Sequence, residues 1–106
     1  SEVLVIADET ANPVYTAADL LSQAEHDVMA SAVLLTTSDA MAEQVASEME
    51  RQTARLSKKD IIAQSLRDYG AIIVCDTLDQ CCQLANEIAP EHLEIVTKNP
   101  FAKRYF

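Results

Sequence analysis

Glycine is almost missing from this chain: the 106 residues contain one, Gly70. That excludes a glycine-rich dinucleotide loop and a P-loop within these residues, since both need glycines for close backbone approach to phosphate. A nucleotide would have to be held by another part of a larger protein, or by non-glycine loops. Basic charge is scarce too, with 8 Lys and Arg against 17 Asp and Glu and a net charge of −9. The shortage disfavours nucleic acid and anionic membranes as partners, because both need clustered positive charge. The few basic residues are scattered over Arg51, Arg55, Lys58, Lys59, Arg67 and the C-terminus, and read as solvated helix faces. Long apolar runs are missing, so nothing here spans a membrane. No signal peptide is visible, as the chain opens Ser1-Glu2 and enters an apolar run directly. That abrupt start without Met suggests a domain cut from something longer, with a tag-removal scar as the alternative.

Cysteine is sparse and odd in number, with three residues and no CxxC spacing. Adjacent Cys81 and Cys82 are poor geometry for a disulfide or a zinc pair. With Ala85 they fall on one helical face and read as small buried hydrophobes. The expected compartment is therefore reducing, most simply the cytoplasm.

What is present reads as one globular α/β domain over residues 1–106, with a hydrophobic fraction of 49%. Val3-Leu4-Val5-Ile6, Ser31 to Thr36 and Ala71 to Cys75 are continuous apolar runs of the kind found in strands buried on both faces. Leu93 to Val96 is a fourth, shorter strand. Asn12-Pro13 opens a helix to about Glu25, with Val14, Ala17, Leu21, Ala24 and Val28 on its apolar face. Ser38 or Asp39 caps a long helix striped by Met41, Val45, Met49 and Leu56. Ser57 is expected to cap the next helix, with Asp60 at the capping-box position and Ile61, Ile62, Leu66 and Tyr69 facing inward. Gly70 sits where a helix end favours positive φ. Asp76 is expected to cap a last helix holding Leu78, Cys81, Cys82, Ala85 and Ile88. The order β-α-β-α-α-β-α-β implies a mainly parallel four-stranded sheet flanked by helices. The tail from Asn99 to Phe106 is expected to pack on a missing neighbour or to fray.

Both histidines lie in short polar strings, Ser22-Gln23-Ala24-Glu25-His26-Asp27 and Pro90-Glu91-His92-Leu93-Glu94. Gln23 and His26 are three apart at a helix end, so they share a face that points away from Leu21. A His nitrogen is a common zinc ligand and a Gln oxygen a rarer one, with Glu25 or Asp27 available to hold the second ring nitrogen. An exposed His at a helix C-terminus, favoured by the dipole, accounts for the same pattern. Two ligands do not complete a zinc site, which normally needs four, or three plus water. Glu91 and His92 lead into the last strand and offer two bases near neutral pH. A loop end with a terminating proline would look the same. Adjacent residues in an extended segment point to opposite sides, so the two need not act on one atom.

Together, four segments in order resemble the histidinol dehydrogenase family. They are Ser1 to Asp8, Asp19 to Asp27, Ser65 to Ala71 and Asn86 to Glu94. The family oxidises L-histidinol to L-histidine in two steps with two NAD⁺, at the end of histidine biosynthesis. The resemblance implies that Gln23 and His26 are zinc ligands that also meet substrate. It further implies that Ser1 contacts substrate, that Glu91 and His92 are the acid–base pair, and that His92 also touches substrate. It makes the chain an internal part of a catalytic core, roughly a quarter of the family's length. The NAD site and the remaining zinc ligands, an Asp and a His, would lie mostly outside it. Val28 stands where many relatives have proline. The parent is expected to be a cytoplasmic homodimer whose sites draw on both subunits, and the fragment alone is expected to be inactive. The competing readings are a stand-alone interaction module derived from the enzyme, and a paralogue acting on another amino alcohol.

Overall fold

A strand, a reversing helix and a parallel strand open the chain, and the same unit repeats with variations. The computed structural model describes residues 2–26, 29, 31–88 and 92–97, apart from the side chains of Glu2, His26 and His92. The elements are β1 (Glu2–Ala7), α1 (Pro13–His26), β2 (Ser31–Thr36), α2 (Asp39–Thr53), α3 (Lys59–Tyr69), β3 (Gly70–Val74), α4 (Leu78–Ile88) and β4 (His92–Val96). This is the α/β order expected from the sequence. All strand pairs are parallel, in the spatial order β3-β2-β1-β4.

That order dictates the layers. The path steps outward from β1 to β2 to β3, then returns past β1 to β4. Right-handed crossovers send helices to opposite faces when the direction reverses. Accordingly, Val3, Val5 and Ala7 pack with Ala17 and Leu20 of α1 and with Met41 and Val45 of α2. Leu4 and Ile6 pack on the other face with Cys81, Cys82 and Ala85 of α4. Leu21 and Ala24 of α1 meet Ile62 of α3 in a third cluster. Leu4, Ile6, Leu20, Leu34 and Leu35 are fully buried. Each such side chain contributes roughly 1.5–3 kcal/mol through the water it leaves.

Capping follows the sequence at two helices. Asn12 Oδ1 accepts from the backbone N–H of Val14 at 2.9 Å and of Tyr15 at 3.2 Å, with Pro13 as the first helical residue. Ser38 Oγ accepts from Met41 N at 3.1 Å. Two other expected caps are corrected. The residue before α3 is Lys58, which makes no side-chain cap, and Ser57 lies in the preceding turn. At α4 the cap is Thr77, whose Oγ1 accepts from Gln80 N at 3.2 Å, while Asp76 N donates to Gln80 Oε1 at 2.9 Å.

Some expected core positions move to the surface. Val14 is 40% exposed and Ile61 is 53% exposed, because the buried stripes of their helices centre on Leu20–Leu21 and on Ile62–Ser65. Tyr69 is likewise exposed. Leu56 follows the end of α2 rather than continuing its stripe, yet it still packs against Ile62. β3 starts and ends one residue earlier than expected, and as an edge strand it leaves Ala71 and Val74 exposed. Gly70 is extended (φ −100°, ψ 153°), not left-handed. Its requirement is size: a Cβ there would lie 2.6 Å from the Leu66 carbonyl oxygen. Val28 and the tail from Asn99 to Phe106 lie outside the described residues.

Candidate active site at the rim where the strands begin

Parallel pairing of β1 and β2 forces α1 to run back against both. Its last turn, carrying Gln23 and His26, therefore ends at the rim where the strands start. Register fixes which strand ends share that rim: Glu2 lies opposite Ser31, and Val3 opposite His92. The backbones of Gln23, His26 and His92 thus converge on one rim, though some 65 residues of sequence separate the two polar strings. Ser1 and Glu91 lie outside the described residues, as do Asp27 and Pro90. Glu2 and His92, to which Ser1 and Glu91 are bonded, both belong to this rim.

Gln23 is half-buried, between the buried Ala24 and the exposed Ser22. It sits where the core stripe of α1 gives way to solvent. Its amide oxygen and the His26 ring suit two positions of a nitrogen–oxygen zinc set, and a helix C-terminus favours a cation. Among the described residues no group of three or more His, Cys, Asp or Glu is gathered to hold a metal.

Positions 92, 94 and 96 of β4 pair with Val3, Val5 and Ala7, the β1 row that packs towards α1. Leu93 and Ile95 pack into the α4 cluster instead. Glu94 is pushed above the usual carboxylate range. Desolvation is the largest cause, followed by the influence of Asp19 on α1. The sequence reading assigned these two no role. The available signal was spacing: Asp19 is one helical turn before Gln23, and Glu94 is two strand residues after His92.

The opposite rim is tied up in its own bonds. Asp8 accepts from the backbone N–H of Thr10 at 2.9 Å and from its hydroxyl, and Asp8 N donates to Val96 O at 3.2 Å. Thr36 Oγ1 accepts from Ser38 N at 3.1 Å, and Cys75 N donates to Thr36 O at 2.8 Å. Burial above all pushes the Cys81 thiol up to about 12, with Cys75 and Cys82 beside it adding to the shift. Such a thiol is a packing group, not a nucleophile.

The family model for histidinol dehydrogenase matches residues 1–104. Histidinol dehydrogenase of Caldanaerobacter subterraneus subsp. tengcongensis is 64% identical over 96 residues, covering 91% of this chain and 22% of the relative. That of Halalkalibacterium halodurans is 57% identical over 102 residues, covering 96% and 24%. The crystal structure of histidinol dehydrogenase from Elizabethkingia anophelis superposes with a TM-score of 0.88 at 45% identity, over 93% of this chain and 23% of that one. The chain spans about a quarter of the length of the relatives it matches. No described helix is long and apolar enough to cross a membrane. On a match that covers nearly its whole length, this chain belongs to the histidinol dehydrogenase family.

Proposed function

We propose that residues 1–106 are one α/β domain of a longer NAD- and zinc-dependent dehydrogenase that oxidises L-histidinol to L-histidine in two steps. The observation that carries this reading is the family match over residues 1–104, which includes both polar strings. Gln23 would bind zinc through its amide oxygen and His26 through a ring nitrogen, the other ligands coming from elsewhere in the enzyme. When bound, zinc supplies a Lewis acid that anchors the substrate's amino and imidazole nitrogens. NAD⁺, held mostly outside this chain, is the hydride acceptor.

The chain's own residues supply the proton chemistry. Ser1 contacts the substrate and, with Gln23 and His26, orients it. His92 takes the hydroxyl proton as hydride leaves the carbinol carbon, which gives an aldehyde. Glu91 then removes a proton from water as the water attacks that aldehyde, and loss of a second hydride leaves the carboxylate. His92, able to gain and lose a proton near neutral pH, returns each proton to solvent. The parent is proposed to be a cytoplasmic homodimer whose sites draw on both subunits. With two of the metal's ligands and no glycine loop, the 106 residues alone are expected to turn over nothing.

The test is histidinol-dependent NADH formation by the full-length enzyme and by its His92→Ala and His26→Ala variants, with bound zinc measured alongside. The reading expects activity in the first and its loss in both variants, with zinc loss confined to His26→Ala. Wild-type turnover in both variants would refute the site.

A further inference from the structure

We propose that the apolar face of β4 beside α4 is the seat of the chain that follows it, residues 98–106, entering as the first turns of a helix. Those residues lie outside the described ones, and their seat does not depend on the reaction proposed above. β4 is an edge strand, and its Leu93 and Ile95 lie opposite Leu4 and Ile6 of β1. The four side chains belong to one apolar face. Leu4 and Ile6 are fully buried, whereas Leu93 and Ile95 are only half-buried. The layer above explains the difference. Among the described residues α4 is the helix of that face, and it lies over β1 and β2. No described helix lies over β4.

Chain direction picks the occupant. The connection from β3 to β4 passes through α4 and moves across the sheet towards the β4 edge. A right-handed connection that continues in that direction crosses the same face. A helix formed straight after β4 is thereby led over Leu93 and Ile95. Two features at the exit fit a helix start. Asn99-Pro100 repeats Asn12-Pro13, the pair that caps and opens α1 through Asn12 Oδ1. Thr97 Oγ1 is buried and has no hydrogen-bond partner among the described residues. Buried hydroxyls are ordinarily bonded, so a donor from the segment just beyond is expected. In a helix begun at Pro100, Phe101 and Tyr105 are four apart and share one face, while Lys103 falls on the opposite one. The two rings bring the large apolar area that covers Leu93 and Ile95.

The experiment is methyl NMR on the full-length enzyme, with labelled Leu and Ile methyls and protonated Phe and Tyr rings, paired with hydrogen exchange. Contacts are expected from the Leu93 and Ile95 methyls to the rings of Phe101 and Tyr105. The amides of residues 104–106, the first that a helix begun at Pro100 can bond internally, are expected to exchange roughly 10²-fold more slowly than an open chain. Phe101→Ala and Ile95→Ser should each speed that exchange by about tenfold or more. Val14→Ser, at an exposed apolar residue of α1, should leave it unchanged. Leu93 and Ile95 methyls that meet another part of the enzyme or a second copy, in place of those two rings, would overturn the proposal. So would methyls that meet only solvent, or open-chain exchange at residues 104–106 of the unaltered enzyme.

Discussion

The two rims of this sheet are built from similar residues and put to different use. Where the strands end, polar groups serve their neighbours: Asp8 holds Thr10, Thr36 holds Ser38, and Gln80 holds the Asp76 amide. Where the strands begin, the helix turn with Gln23 and His26 and the strand start at His92 converge. Doubly wound sheets ordinarily bind ligands outside the carboxyl ends of their strands, at the point where strand order reverses. Here that point lies between β1 and β4, whose ladder ends with the bond from Asp8 N to Val96 O. A familiar sheet does not by itself locate chemistry, so the site proposed at the starting rim is argued from its residues and not from the fold.

The contrast can be broken at several strengths. The largest effect is expected at the starting rim. His92→Ala should cut histidinol turnover by about 10²–10⁴, the usual worth of a general base. Thr77→Ala at the opposite rim should leave turnover within about twofold. Steady-state NADH assays on both variants check this, and equal losses would dissolve the distinction between rims.

Next comes the support that both rims share. Leu35 is fully buried at the centre of the sheet. Leu35→Ala should cost about 2–5 kcal/mol through lost transfer energy and a residual cavity. Urea unfolding measures it, and a loss below about 1 kcal/mol would mean that the sheet centre is not the common support.

Smaller still is the cost of a single cap at the closing rim. Ser38→Ala should destabilise by about 1 kcal/mol without changing kcat, because the Met41 amide loses its acceptor. A change in kcat would show that this rim also takes part in the reaction.

The smallest effect concerns pH. Glu94 is raised above its ordinary 4.5 in the folded chain. The native state therefore holds more protons than the unfolded one just above pH 4.5, and stability falls as pH rises through that window. Glu94→Gln should flatten this part of the stability–pH curve. An unchanged slope would remove Glu94 as its source.

Much of this was legible from the chain itself. Apolar runs without glycine or proline announced the strands, and Asn12-Pro13 and Ser38 announced two helix starts, since these signals act over a few residues. Some errors arose where neighbours distant in sequence decide, and others at helix boundaries where several local signals compete. Val14 and Ile61 fit an apolar stripe, yet they lie on flanks that the sheet and the other helices do not cover. Gly70 looked like a left-handed cap, whereas a close carbonyl explains it. Ser57 and Asp76 were plausible caps one residue from the observed helix boundaries.

The sequence alone determined the element order and the identity of the two polar strings. It also determined the exclusion of a glycine-built phosphate loop. Each depends on local stereochemistry or on residue type. Only the tertiary structure decided that β1 and β2 are central and β3 and β4 are edges. Only there do the backbones of Gln23, His26 and His92 share a rim. Those facts follow from strand order and register, which hydrogen bonds between distant segments set and no local pattern encodes.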